Sequence, residues 1–394
     1  MDTSDLKENL ERSIERVKKI GKKISDVIIE VKENISYNFY DYVDDYGDYT
    51  FEEKEFNEVD NVILSMLTYI DYSGLISGDS KDKKSLYTVS KEFFSTHNKS
   101  YLKEVIIPTK VGIKLLEKIS SKRRYRDILV FNYLYKGDAN SQFSACTFDL
   151  GNKTYFIGFE GTDTLISGWE EDCKMAYTFP VEAHILAKKY LRKYTFKNVR
   201  LIIGGHSKGG NLALVSSMYT NFLVRWKIKK IYSNDGMGLR DKQINSRRYR
   251  RIENKFTRII PDSSIVGLLL RHNNKYEVIK SNMPGLISHD TSTWQIDRNS
   301  FTRTKLTRFS RVFDDGFTKW LDNYSDEERE LFVKEVFDIM RENNIETLMQ
   351  FTTNYRLIFD VLKSSKKLSP VVKNMAKDLI MVISQTNLEY PLFK

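Results

Sequence analysis

The chain has 394 residues, 41% hydrophobic and 13% aromatic with only 6 prolines, which excludes collagen-like and disordered classes. Two cysteines, Cys146 and Cys173, cannot form a disulfide framework, and with 5 scattered histidines they lack metal-ligand spacing, so no metal and no cofactor is expected. The net charge of +10 reads first as a solvated basic surface and second as a face for an anionic lipid or substrate, and nucleic acid ranks last because no recognition helix, finger or RNP-type motif accompanies the basic runs.

The opening stretch, Met1 to Glu8, is acidic and carries no apolar h-region, and no run of eighteen apolar residues follows. The expectation is a soluble, cytoplasmic protein. Residues 5–35 predict one amphipathic helix: Leu10, Ile14, Val17, Ile24, Ile28, Val31 and Ile35 recur in steps of four and three, with Gly21 at a vacant seam position. Its charges balance, which favours packing against its own domain or a second subunit over a lipid surface. A polar, aromatic link from Tyr37 to Thr50 comes next, then a helical pattern from Phe56 through Val59, Ile63, Leu64 and Leu67 to Ile70.

Strands are predicted at Ile128 to Phe131, Ser144 to Phe148, Thr154 to Phe159, Val199 to Ile203, Ile228 to Tyr232, Phe256 to Ile260 and Tyr276 to Ile279. Gly151-Asn152 reads as a hairpin turn. Helical patterns at 181–194 and 212–223 alternate with the later strands, which predicts an α/β fold with a largely parallel sheet covered on both faces. Beyond residue 325 the patterns are helical, over 326–341, 345–362 and 370–384. The chain therefore divides into an N-terminal helix (1–35), an α/β domain (36–320) and a C-terminal helical region (321–394). Basic residues concentrate at 225–230, 247–251 and 298–311, a pattern that fits contact with an anionic membrane surface or an anionic substrate.

Gly205-His206-Ser207-Lys208-Gly209 lies between an apolar strand and a helix-like stretch, the context of a nucleophile elbow. The glycines are needed because a Cβ on either side of the sharp turn would collide with the neighbouring strand or helix. In α/β-hydrolases the order is Ser, acid, His, so the base must follow Ser207, and only His272 and His289 do. His272 fits a hairpin tip, whereas His289 lies in a loop beyond the last strand and is preferred. Asp235 and Asp262 each end a strand beside the elbow, where open α/β sheets place their chemistry, and the glycines after Asp235 favour it. Oxyanion donors are expected from the backbone N–H of Lys208 and from the loop Gly161-Thr162-Asp163-Thr164.

Phe159-Glu160-Gly161-Thr162, Trp169-Glu170-Glu171-Asp172 and 205–213 resemble class 3 lipases. Together with 56–60, 233–236, 264–269 and His289-Asp290 ahead of Trp294, they resemble still more closely a bacterial α/β-hydrolase family, Mbeg-like, long catalogued as a domain of unknown function. The resemblance covers about residues 36 to 345. It implies the lipase-like α/β-hydrolase fold, Ser207 as nucleophile, His289 as base and Thr162 in the oxyanion hole. The lipases carry Arg where this chain has Glu160, and their catalytic Asp falls at Ser264, which leaves Asp235 or Asp262 as the acid. The expected function is a serine hydrolase cleaving acyl esters, of lipids first, through an acyl-enzyme. The alternatives are a thioesterase or amidase, or a non-catalytic hydrolase-fold module that binds lipid or protein.

Overall fold

The computed structural model describes residues 37–97, 101, 105–137, 142–162, 166–273, 275–345 and 367–387. The helix predicted over 5–35, and all but the first residue of the one predicted over 345–362, lie outside these residues.

Eight strands form one sheet in chain order: β1 (Lys84–Ser85), β2 (Leu129–Gly137), β3 (Gln142–Asp149), β4 (Thr154–Phe159), β5 (Arg200–Gly205), β6 (Ile228–Asn234), β7 (Phe256–Pro261) and β8 (Glu277–Ile279). The pairs from β1 to β4 are antiparallel and those from β4 to β8 are parallel. Every strand read from the sequence falls on one of β2 to β8. The predicted turn between β3 and β4 holds Gly151, Asn152 and Lys153 all at positive φ (82°, 46° and 55°), and the Thr154 N–H donates to the Gly151 carbonyl at 2.8 Å. β2 runs past its predicted end to Gly137, with a register shift between Phe131 and Leu134 where Asn132 takes φ 55°.

Right-handed connections between parallel strands laid down in chain order send their helices to one face of the sheet, so the other face needs cover from elsewhere. The N-terminal helices provide it: α1 (Phe39–Tyr46), α2 (Glu58–Leu67), α3 (Leu86–Thr96) and α4 (Ile107–Ile119) pack with Phe148, Phe156 and Tyr232. The face on the other side carries α5 (Ile166–Lys174), α6 (Glu182–Arg192) and α7 (Lys208–Tyr219), and α6 and α7 share a core with Leu201, Ile203 and Ile231. Alternation with period two divides each strand between these cores: in β6, Ile231 faces one and Tyr232 the other.

α1 falls inside the stretch read as a link. It forms because Asn38 and Asp41 make a capping box and because Phe39, Tyr42 and Val43 occupy one helical face, fully buried. Asp60, at the N-cap box of α2, is completely buried against Arg124 (2.6 Å) and accepts a bond from the Tyr125 hydroxyl at 2.7 Å, which ties the N-terminal helices to the segment entering β2. At the other end of the chain come α8 (Arg308–Asp322), α9 (Asp326–Glu342) and α10 (Pro370–Asn387). Trp320 donates its indole N–H to the Met375 carbonyl at 2.9 Å, and both residues belong to the core that holds Leu201. Among the described residues no helix is long and apolar enough to cross a membrane.

Candidate active site

β5 delivers the chain into the elbow. Ser207 takes φ 57° and ψ −129°, a region that costs a non-glycine residue about 1–3 kcal/mol and is held only where its surroundings enforce it. Here the Ser207 N–H donates to the Asn234 carbonyl at 3.0 Å, and the Asn234 side chain is fixed in turn by Asn61 (2.8 Å) and Ser65 (3.1 Å) of α2. The glycine requirement is steric: a Cβ on Gly205 would sit 2.3 Å from the Gly209 carbonyl carbon, and one on Gly209 would sit 2.1 Å from the Phe159 oxygen. Lys208 opens α7, so its N–H is one of the donors a helix leaves unsatisfied at its start.

His289 and Asp235 meet although 54 residues separate them: His289 Nδ1 lies 2.6 Å from Asp235 Oδ2. A carboxylate accepts only, so Nδ1 is the donor in this contact. Asp235 is completely buried, sits at φ 49° just past β6, and accepts two further bonds on Oδ1, from the Ser264 hydroxyl (2.6 Å) and the Gly267 N–H (3.1 Å). Ser264 thus supports a carboxylate that comes from the neighbouring strand end. Asp262 lies elsewhere. Burial raises its pKa, and the backbone N–H groups of Ser281 and Ser263 hold its carboxylate. His272 is not at a hairpin tip, because β7 and β8 run parallel, and its Nε2 lies 3.0 Å from Asp314.

The sequence reading missed a second histidine at the site. His206 is buried, and its ring packs against that of His289 at 4.3 Å between centroids. Its Nε2 lies 2.9 Å from the His289 carbonyl oxygen, which can only accept, so Nε2 carries the proton and Nδ1 accepts from the Tyr69 hydroxyl at 3.0 Å. Burial first, and then the neighbouring His289, push the His206 pKa well below its ordinary value. The ring is therefore a neutral brace for the backbone of the His289 loop. The Trp294 indole N–H, donating to the Ser288 carbonyl at 2.8 Å, braces the same loop.

On the oxyanion side, the Thr162 hydroxyl donates to Asp172 of α5 at 2.6 Å. Asp163 and Thr164 lie outside the described residues. The side chain of Lys208 is buried as well: Nζ pairs with Glu171, lies 3.8 Å from Asp172 and donates to the Gln142 carbonyl at 3.0 Å. One buried network therefore links the residue after Ser207 to the residue after Gly161. The signal for it was the Glu171-Asp172 pair in the lipase-like motif. Among the described residues no group of three or more His, Cys, Asp or Glu side chains could hold a metal ion.

Comparison with known proteins places this geometry in context. The chain is similar in structure to the M37 lipase (TM-score 0.32, 13% identity, covering 54% of this chain and 70% of that one). It is similar also to a lipase from Rhizopus microsporus var. chinensis (TM-score 0.29, 16% identity, 47% and 75%). No curated protein matches the chain. A family model, Mbeg1-like, matches residues 119–338, a narrower span than the resemblance read from the motifs. That match takes in more than half of the sequence and includes Ser207, Asp235 and His289, and the chain belongs to the Mbeg1-like family.

Proposed function

We propose that the protein is a serine hydrolase that cleaves acyl esters, with lipid esters the class implied by its lipase-like motifs. The observation that carries this reading is the 2.6 Å contact between His289 Nδ1 and Asp235 Oδ2, together with the strained elbow of Ser207, whose neighbour His206 packs its ring on His289. Ser207 Oγ attacks the ester carbonyl while His289 Nε2 takes the hydroxyl proton. Asp235 keeps Nδ1 protonated and stabilises the imidazolium that forms. The N–H groups of Lys208 and Thr162 stabilise the oxyanion, and loss of one such donor costs about 3–4 kcal/mol of transition-state stabilisation. The tetrahedral intermediate collapses, the C–O bond to the alcohol breaks, and the imidazolium returns its proton to the leaving oxygen. Water, deprotonated by His289, then cleaves the acyl-enzyme and regenerates Ser207.

Asp262 has no part in this scheme. A fluorophosphonate probe tests it: wild-type protein labels and Ser207→Ala does not, and p-nitrophenyl esters of graded chain length report turnover. Absence of labelling, or labelling that persists in Ser207→Ala, would leave a non-catalytic binding module as the correct reading. Thioester and amide substrates assayed in parallel decide which acyl bond is preferred.

A further inference from the structure

We infer that the end of the sheet opposite Ser207 is a docking surface for an anionic lipid bilayer. Three segments meet there. Phe196 and Lys197 immediately precede β5, the helix Phe222–Lys227 runs directly into β6, and Arg251 and Lys255 lie just before β7. Because β5, β6 and β7 are parallel, all three segments occupy the end from which these strands start, whereas Ser207 and Asp235 follow the ends of β5 and β6. A six-residue strand spans about 20 Å, which sets the scale of the separation.

This end presents large apolar side chains to solvent. Phe196 is 93% exposed, Trp226 70% and Phe222 67%, with Leu223 beside them. They are held out by fixed backbone rather than by loose loops: Lys227 Nζ donates to the carbonyls of Tyr194 and Thr195 at 2.8 and 2.6 Å, and Asn221 donates to the Thr195 hydroxyl at 2.9 Å. Phe222 and Trp226 share one shallow depression with Arg225, Arg251 and Lys255. An exposed Trp flanked by Phe and Leu suits the headgroup boundary of a bilayer, where the indole meets the polar layer and the smaller apolar groups enter the acyl layer.

The segment that carries this helix is one-sided in charge. Residues 221–255 contain eleven Lys and Arg against three acids. All three acids face other partners: Asp235 holds His289, Asp241 pairs with Arg271, and Glu253 pairs with Lys275. The cations crowd one another instead. Burial, then Arg251 and Arg248, lower the Arg225 pKa, and burial, then Lys229 and Arg225, lower that of Lys255. Such a field attracts anionic headgroups. A strand-like nucleic acid would call for stacking platforms along a groove, which four side chains projecting from a short helix and a loop do not make. Docked this way, the protein turns its Ser207 end away from the membrane that holds it.

Co-sedimentation of the full chain with phosphatidylcholine vesicles, with and without phosphatidylglycerol, tests the assignment. Binding is expected only with phosphatidylglycerol present, falling at least about tenfold when ionic strength is raised to about 0.5 M. The triple variant Phe196→Ser, Phe222→Ser, Trp226→Ser should bind at least about tenfold more weakly, with unchanged circular dichroism and unchanged hydrolysis of a water-soluble p-nitrophenyl ester. Ser207→Ala should bind as wild type does, so the docking assignment stands or falls separately from the hydrolase reading. Equal binding to both vesicle types, no binding, or wild-type binding by the triple variant overturns the proposal. So does a sedimentation-velocity dimer that the triple variant abolishes in the absence of lipid, or single-stranded RNA that displaces the protein from vesicles at equal charge.

Discussion

The two ends of the central sheet use polar residues in opposite ways. Where β5, β6 and β7 end, ionisable groups are buried and matched: Asp235 holds His289, His289 lies against a neutral His206, and Lys208 is clasped by Glu171. Where the same strands begin, Arg225, Arg248, Arg251 and Lys255 repel one another at the surface beside exposed aromatic rings. Burial fixes the orientation of a few charges and strengthens each contact, as directional chemistry requires. Exposure leaves many charges loosely placed but adds their fields, as attraction to an extended charged surface requires. Substitutions of equal size at the two ends should therefore have very unequal effects.

On the proposed mechanism the largest effect belongs to Asp235. Asp235→Asn should lower kcat on an ester by about four orders of magnitude, because an amide no longer enforces the Nδ1–H tautomer of His289. Asp262→Asn should keep turnover within a few-fold of wild type. Steady-state kinetics on both variants decides it, and comparable losses in the two would mean that the acid is shared or misassigned. Next in size is Gly267→Ala. The new Cβ would lie 2.2 Å from Asp235 Oδ1 and 2.8 Å from the Ser264 hydroxyl, both inside contact distance. The carboxylate must shift, and a displacement of about 1 Å at a catalytic group costs on the order of a hundredfold. A loss in kcat with KM unchanged is the expected signature.

How far the sequence exposed this site depended on range. The elbow is a local object, with strand, turn and helix inside fifteen consecutive residues, so Ser207 could be read directly. His289 followed from chain order and from its place beyond the last strand. The acid stayed divided between Asp235 and Asp262, since only the folded sheet reveals that Ser264, 29 residues on from Asp235, turns its hydroxyl to that carboxylate. Nor could His206 have been seen. It lies inside the elbow pentapeptide, but its role needs the His289 carbonyl 83 residues away. In the fold, the strands were legible from β-branched runs bounded by turns. The acidic stretch containing α1 concealed a helix because its buried face is only Phe39, Tyr42 and Val43, too short a repeat to stand out among the six Tyr and Phe residues of 37–50.

The buried histidines at the Ser207 end also bring a dependence on pH. Burial depresses the His184 pKa to about 4, and that of His206 falls well below its ordinary value. Each is neutral in the folded state at pH values where the unfolded chain would already bind a proton. Their contribution to stability is thus complete above the unfolded pKa of about 6.5 and is lost as pH falls toward the folded values. The melting temperature should drop steadily between pH 6.5 and about 4. His184→Gln keeps a polar group near Asn211, its partner at 2.7 Å, and should flatten part of that slope. A variant whose profile overlays that of the wild type would remove His184 from the explanation.

The smallest effect separates the two ends most cleanly, because its sign differs. Removing a matched charge at the Ser207 end leaves its partner buried and alone, a loss of about 3–5 kcal/mol when a pair such as Lys208–Glu171 is broken by Lys208→Met. Arg251→Gln takes away an exposed charge whose neighbours include Arg225, so the folded state loses repulsion and little else. Stability should be unchanged or raised by at most about 0.5 kcal/mol, and the gain should shrink with added salt as screening removes the repulsion in the wild type as well. Urea denaturation of wild type and variant at low and high salt measures both quantities. A loss above about 1 kcal/mol at either salt concentration would mean that Arg251 holds the fold together, and the cationic end would then have to be understood as structure before it could be understood as a surface for binding.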